Sequence, residues 1–393
     1  MTGRYRWAVL GGATLMQVGV SMPQQTPAAI GPVLIASLHI SNAQLGLLTS
    51  AVWGGMLFGM IPFGLLVDRF GERRVLAGGV VLLAGGLAAA SMTATFLPLF
   101  LLLIPAAIGA SSGSPGGARA IAEWFPRSQR GMALGIRQTG VTLAGITAAF
   151  TLPPIALAAG WRAAFWTVAA GALVAVAIFV LVYREPVGGR AESASLNPRV
   201  LLTSRRFLAA TAFAWVFMGV LGASVTSLPN SLHHSAGLSV VVAARLLAVL
   251  QLGGLLGRIG WGLISDRAGR ALTMVVTGLL ACVACLCMAW LEHRGTPLAS
   301  LAGIAFLLGL SAMGWNALYI AVAAEAVPVH HAASAIGIGT AITFTGMFVG
   351  APLYGLLADR SGGYTLPWMA LAGWCLVGVG LLVAGHARRP QIA

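Results

Sequence analysis

Long apolar runs, separated by short segments that carry the charges, make up almost the whole chain and constrain its fold more than any other feature. Of its 393 residues, 58% are hydrophobic and 8% are charged. A soluble domain carries about 25% charged residues, so this chain has too few charges to cover a water-facing surface, and its high hydrophobicity excludes disorder. The apolar runs lie at residues 7–36, 44–67, 74–95, 98–122, 132–158, 163–183, 207–230, 239–264, 271–291, 298–324, 332–358 and 365–386.

Each run is long enough for a membrane-spanning helix, which needs about 20 largely apolar residues. The runs are also much longer than the roughly 10-residue alternating strands of an outer-membrane barrel. The sequence therefore predicts an all-α membrane protein with twelve transmembrane helices in a lipid bilayer.

The basic residues are unevenly distributed between the two sides of the predicted membrane. The net charge is +14, and all 23 basic residues are arginines. Sixteen of them fall in the termini and in alternate connecting segments. Because cytoplasmic loops carry the excess of positive charge, both termini are expected in the cytoplasm of a cell with this chain in its inner (plasma) membrane. This arrangement explains the charge without a nucleic-acid partner, and we expect none.

One hydrophilic segment, residues 184–206, divides the twelve runs into six and six. Such a segment is typical of a linker between two bundles. We therefore predict an N-terminal six-helix bundle at 1–183, a cytoplasmic linker at 184–206 and a C-terminal six-helix bundle at 207–393.

The two predicted bundles share sequence motifs in the same order. Residues 64–73 (GLLVDRFGER) correspond to residues 262–270 (GLISDRAGR), 198 positions later. Residues 123–126 (EWFP) correspond to residues 325–328 (EAVP), 202 positions later. These matches indicate a duplicated, pseudo-symmetric six-helix unit, and repeated halves of this kind are common in transporters.

The two loop sequences resemble the signature loop of the major facilitator superfamily, and the resemblance extends over the whole chain. It implies a secondary transporter that works by rocker-switch alternating access, with charged loop residues that lock the cytoplasmic side. A carboxylate beside arginines at a helix end can form charge-assisted hydrogen bonds in one state and lose them in the other. The alternative is that these charges only fix the topology. The implied gating residues are Asp68, Arg69, Arg73, Asp266, Arg267 and Arg270.

Arg258 is a candidate ligand for an anionic substrate, since a charge inside an apolar run is costly and marks a functional candidate. It shares a helical stripe with Gln251 and stands about 12 Å along the helix from Asp266. The pattern around it resembles helix 8 of monocarboxylate- and oxalate-type facilitators, which implies that Arg258 binds a substrate carboxylate. The planar guanidinium suits this task because it donates two parallel hydrogen bonds. A structural pairing is the alternative.

Arg137 is a second candidate, in the sequence GIRQTG at residues 135–140. This segment resembles the start of helix 5 in the cyanate and nitroimidazole permeases. Arg137 is expected either to line a substrate cavity or to extend to the membrane interface as a packing charge. Aromatic residues with a few polar groups suit a small-ligand cavity, although Trp315 and Tyr319 equally fit core packing. The remaining candidate substrate ligands are Gln138, Gln25, Trp315, Asn316 and Tyr319.

The placement of the acidic residues favours an anionic substrate. Asp68, Glu123, Asp266 and Glu325 lie near predicted cytoplasmic ends, whereas Arg137 and Arg258 lie further inside the membrane. An electropositive centre selects a small anion, in particular an organic carboxylate. An exporter of drugs or neutral metabolites from the same superfamily is the alternative. Glu325 is the candidate proton-coupling residue, with a structural pairing as its alternative, and symport, exchange and uniport remain open.

Enzymatic chemistry finds no support in the sequence. The chain has no P-loop, no G-x-S-x-G and no H-E-x-x-H motif. Cys282 and Cys285 form a C-x-x-C pair inside an apolar run, where a metal or redox site would lack polar neighbours. We therefore expect a transporter that is not an enzyme, acts as a monomer and needs no cofactor or metal.

Overall fold

The computed structural model describes residues 2–113, 121, 124–126, 129–183, 204–293, 295–325 and 332–387. Almost all of these residues are helical. A helix satisfies the backbone hydrogen bonds within the segment itself, which an apolar run needs where no water is present. The helices of the described segments are α1 (Thr2–Ala29), α2 (Gly31–Leu38), α3 (Asn42–Phe70), α4 (Glu72–Ser91), α5 (Phe96–Ala110), α6 (Arg130–Ala159), α7 (Trp161–Val182), α8 (Arg205–Ser235), α9 (Val240–Ala268), α10 (Arg270–Leu291), α11 (Leu298–Ala312), α12 (Trp315–Glu325), α13 (Ala332–Ser361) and α14 (Thr365–Ala387).

The described segments contain ten helical spans that are long and apolar enough to cross a membrane. The other two predicted spans are also helical where they are described. Run 7–36 lies in α1 and α2, and run 98–122 begins in α5, a shorter apolar helix. The prediction of an all-α membrane protein is confirmed.

The chain divides into two compact units. Unit 1 comprises Met1–Arg190 with Val240–Ala248, and unit 2 comprises Ala191–Ser239 with Val249–Ala393. In unit 1, α1 packs on α6 and α7, and α5 packs on α3 and α4. In unit 2, α8 packs on α13 and α14, and α14 also packs on α10. Because residues 184–203 of the expected linker lie outside the described segments, the domain boundaries stay a prediction.

The signature loops are tight turns at corresponding positions of the two halves. Gly71 separates α3 from α4 with φ of 82°, and Gly269 separates α9 from α10 with φ of 88°. A side chain strongly disfavours such positive φ values, so glycine is needed at both turns. The sequence correspondence between residues 64–73 and 262–270 is thus matched by a shared backbone turn.

Glycines also set how closely α9 approaches α11. A methyl group added at Gly309 would lie 1.9 Å from the carbonyl oxygen of Leu250, and one at Gly257 would lie 2.3 Å from the carbonyl oxygen of Leu310. Small residues at membrane helix interfaces permit this kind of backbone contact. The indole N–H of Trp261 adds a hydrogen bond of 2.9 Å to Leu310 O. These contacts hold the segment of α9 that carries Arg258.

Candidate functional site

Arg258 lies within the membrane-spanning length of α9, between the glycine contacts and the turn at Gly269. The residue is partly buried, and its Nε is fully buried with no hydrogen-bond partner among the described residues. Among the described residues, the Arg258 guanidinium forms neither an ion pair nor a side-chain hydrogen bond. Gln251, two turns earlier on the same stripe, is buried as well. The stripe predicted from spacing therefore carries a cation with hydrogen-bonding capacity to spare.

Arg137 is placed differently, because its Nη1 already has two hydrogen-bond partners within unit 1. Its Nε is buried and, like that of Arg258, has no hydrogen-bond partner among the described residues. Arg137 is 6% exposed, and Nη1 donates to Oε1 of Gln17 on α1 and to the carbonyl oxygen of Gly113, the latter at 3.3 Å. It also interacts electrostatically with Glu72, the buried first residue of α4. Gly140 allows this approach of α6 to α1, since a methyl group there would lie 2.8 Å from Thr14 O.

The two glutamines predicted as ligands in unit 1 lie in different environments. Gln138 is exposed on α6, although its neighbour Arg137 is buried. Gln25 is buried on α1, one position after Gln24, whose Oε1 is buried without a hydrogen-bond partner in the described chain. The structure therefore does not gather Arg137 and Gln138 on one face.

The aromatic candidates of α12 form part of the core of unit 2. The Trp315 ring packs against Phe213 and Phe217, and its indole N–H donates to Ala312 O at 2.7 Å. The hydroxyl groups of Tyr319 and Thr211 are 3.1 Å apart and hydrogen bonded. Trp315 and Tyr319 are thus buried and their polar groups satisfied, whereas Asn316 between them is half-buried.

The second signature loop forms a charged cluster that joins three helix ends of unit 2. Arg270, the first residue of α10, contacts Asp266 on α9 at 2.8 Å and Glu325 at the end of α12 at 3.4 Å. Its Nη1 also donates to the Ser265 hydroxyl. Both carboxylate side chains are 60% exposed. Glu325 is therefore paired with a neighbouring helix at the surface of unit 2, and Arg267 is exposed beside the cluster.

The first signature loop is described in part. Arg69 is exposed with its guanidinium carbon 5.2 Å from the centre of the Phe70 ring, and Arg73 is exposed at the start of α4. The side chain of Asp68 lies outside the described structure, as does Glu123.

A buried carboxylate at the end of α10 is a feature that the sequence analysis missed. Glu292 is 8% exposed and accepts hydrogen bonds from the Ser231 hydroxyl and, at 2.6 Å, from the indole N–H of Trp368. Burial raises the pKa of the Glu292 carboxyl to about 8, because a charge is poorly solvated there. The available signal was an acidic residue directly after an apolar run. Glu72 was also missed, because it lies among the other charged residues of the first loop motif, Asp68, Arg69 and Arg73.

Comparisons with known proteins identify the family. Residues 12–351 match the Major Facilitator Superfamily. The chain is 26% identical over 396 residues to the 4-hydroxybenzoate transporter PcaK of Pseudomonas putida, with 90% of this chain and 87% of the relative covered. It is 27% identical over 366 residues to the chloramphenicol resistance protein of Streptomyces lividans, with coverage of 91% and 90%.

A solved structure agrees in fold. The crystal structure of a bacterial homolog of the human lysosomal transporter Spinster, inward-facing and occupied, matches with a TM-score of 0.82 at 18% identity, covering 98% of each chain. The helical architecture, the paired signature loops and the family match together show that the chain belongs to the major facilitator superfamily, and that it is a membrane transporter rather than an enzyme.

Proposed function

We propose that this transporter carries a small organic carboxylate and that Arg258 binds the carboxylate group. The observation that carries the proposal is the buried Nε of Arg258, which has no hydrogen-bond partner among the described residues. A buried donor without a partner is costly, so a ligand that accepts from it gains that energy on binding. A carboxylate fits best, because it accepts two parallel hydrogen bonds from one guanidinium group.

The neighbouring residues support this assignment. Gln251 lies on the same stripe of α9, two turns from the cation, and is buried. The relative PcaK is named for 4-hydroxybenzoate, which is a small aromatic carboxylate. Arg137 lies in unit 1, where Gln17, Gly113 and Glu72 already interact with it. We therefore assign direct substrate binding to Arg258.

The charged loop clusters are proposed to control access by alternating formation and loss of ion pairs. Arg270 joins α10 to α9 and α12, and a movement of any of these helix ends would separate it from Asp266 or Glu325. The pairing of Glu325 favours this role over proton coupling. The arginine distribution supports an orientation with both termini in the cytoplasm of a cell that carries this chain in its inner membrane, and we propose that one chain suffices for transport.

The test compares Arg258→Gln with Arg245→Gln in proteoliposomes that are supplied with radiolabelled 4-hydroxybenzoate. Arg245 lies on the same helix and is exposed, which makes it a matched control for removal of a positive charge. Loss of hydrogen bonds to a charged group costs about 1.5–3 kcal/mol, so Arg258→Gln is expected to lower uptake at subsaturating substrate roughly 10- to 100-fold. Arg245→Gln should retain uptake. Undiminished uptake by Arg258→Gln would contradict the proposal.

Export of a neutral drug or metabolite is the second candidate function, and the similarity to a chloramphenicol resistance protein favours it. A thermal-shift titration of the purified protein separates the two, since a true ligand stabilises the folded state by mass action. The carboxylate proposal expects stabilisation by 4-hydroxybenzoate that is lost in Arg258→Gln. Stabilisation by chloramphenicol in both the unmodified protein and Arg258→Gln would favour export.

A further inference from the structure

An open apolar groove lies in unit 2, apart from Arg258 and the charged loop cluster. Its volume is about 570 Å³. Phe207, Thr211 and Trp215 of α8 form its floor, and residues of α13 and α14 form its sides, Ile342 and Trp374 among them. Both of these helices pack closely on α8 and touch each other less, which leaves the space between them open.

Two of the polar side chains that line the groove, Thr211 and Trp215, already have hydrogen-bond partners. The Thr211 hydroxyl is bonded to the Tyr319 hydroxyl, and the Trp215 indole N–H donates to the Thr345 hydroxyl at 2.9 Å. Large apolar side chains are exposed along its sides, including Ile342 and Leu381. An open groove lined mainly by apolar side chains accepts hydrocarbon rather than a polar solute.

A cation lies at one end of this groove. Arg205, the first residue of α8, is exposed and shares one helical stripe with the lining residues Leu208, Ala212 and Val216. The last turns of α14 bound the same end, since a methyl group added at Gly385 would lie 2.2 Å from Cβ of Ala209 and 3.9 Å from Arg205 O. The groove therefore runs along α8 for about 14 Å from its arginine end toward the middle of the membrane.

We propose that this groove is a binding site for an anionic phospholipid, with an acyl chain between α13 and α14 and the phosphate group at Arg205. An arginine at the surface end and a hydrocarbon-lined groove beyond it match the two parts of such a lipid in the correct order. Basic residues beside spaces between membrane helices recognise anionic headgroups in this way. The proposed site lies in the membrane leaflet on the same side as the arginine-rich helix ends of unit 2.

The test is a titration of the purified full-length protein by native mass spectrometry with dioleoylphosphatidylglycerol and with dioleoylphosphatidylcholine, which has the same chains and no net charge. The unmodified protein is expected to bind the anionic lipid about fivefold more tightly, as one arginine near a membrane surface provides. Arg205→Gln should remove most of this preference. Arg206→Gln, at a neighbouring exposed arginine that is off the groove stripe, should remove less of it.

A second pair of variants tests whether the lipid binds in this groove. Ala212→Phe places a ring inside the groove and is expected to lower binding of both lipids, whereas Ala170→Phe, at an exposed alanine on α7 of unit 1, should not. Equal binding of the two lipids by the unmodified protein would overturn the proposal, as would unchanged lipid binding by Ala212→Phe. A groove that holds a neutral apolar compound or a second copy of the chain would respond to Ala212→Phe but not to Arg205→Gln, and that result also overturns it.

Discussion

Glu292 shows how a single buried carboxylate makes stability depend on pH. The Ser231 hydroxyl and the Trp368 indole N–H donate to it, which ties α8 and α14 to the end of α10. Burial nevertheless dominates and raises its pKa from 4.5 to about 8. Between these two pH values the folded protein holds a proton that the unfolded chain has released, so the free energy of unfolding falls as the pH rises.

We therefore expect the melting temperature of the protein to decrease between pH 5 and pH 8, and Glu292→Gln to reduce this decrease. The contribution of one such group approaches about 1.4 kcal/mol per pH unit within the window. The measurement is the melting temperature in detergent as a function of pH. Glu325→Gln is the matched control, because that carboxylate is exposed and paired with Arg270. An identical pH dependence in Glu292→Gln and the unmodified protein would show that Glu292 does not carry the effect.

Arg137 shows that a buried cation can be held largely by neutral partners. Gln17 accepts from its Nη1 and in turn donates to the Ser21 hydroxyl at 2.9 Å, so a short hydrogen-bonded chain links α6 to α1. Glu72 adds a favourable electrostatic interaction from α4. Nη1 of Arg137 is therefore bonded within unit 1, whereas the guanidinium of Arg258 has no ion-pair or hydrogen-bond partner in the described part of unit 2. The Nε atoms of both arginines are buried without a hydrogen-bond partner among the described residues.

At the scale of helices, the contact between α9 and α11 depends on glycine. A methyl group at Gly309 would lie 1.9 Å from Leu250 O and 3.0 Å from the backbone nitrogen of Gly254. Backbone atoms cannot move aside as a flexible side chain can, so the two helices must separate.

We expect Gly309→Ala to destabilise the protein by about 1–3 kcal/mol, the usual cost of overpacking. Transport should also decrease, because Arg258 lies on the helix that is displaced. Gly303→Ala on the same helix is the control, since a methyl group there meets no atom within 4 Å. Melting temperature and 4-hydroxybenzoate uptake are measured for both variants, and equal stability of the two would refute the assigned role of Gly309.

The ion pairs of Arg270 contribute little to stability by comparison. Its carboxylate partners are 60% exposed, and exposed ion pairs are typically worth about 0–1 kcal/mol. The small free energy of these ion pairs suits contacts that form and break during a transport cycle. The glycine contacts, by comparison, hold α9 against α11.

At the scale of the whole molecule, the sequence predicts the helices well because apolar length and charge placement are local properties. The runs at 44–67 and 271–291 correspond closely to α3 and α10. The corresponding loop motifs both contain a glycine with positive φ, Gly71 and Gly269. Side-chain partners depend instead on which helices meet. Arg137 and Gln17 are separated by 120 positions, and their hydrogen bond exists only because α1 packs on α6.

The sequence could not predict the side-chain partners of the other candidate residues either. The spacing of Trp315 and Tyr319 fits either a cavity wall or a core. Only the folded chain shows that Trp315 packs against Tyr319 and against the aromatic rings of α8 in the core. Glu292 follows an apolar run just as a solvated loop acid would, and only Ser231 and Trp368 reveal its burial. The unused Nε of Arg258 was likewise not visible in the spacing of its stripe.

The orientation of the whole chain rests on its arginines and is testable by cysteine labelling. The end of α9, at exposed Ala268, lies beside the arginine-rich turn, whereas Ser361 is exposed at the far end of α13. In a variant that lacks the four native cysteines, Ser361→Cys is expected to react with a membrane-impermeant maleimide in intact cells. Ala268→Cys should react only after the membrane is permeabilised, because positive loops stay in the cytoplasm. The reverse pattern would place both termini outside and would also assign the phospholipid groove to the outer leaflet.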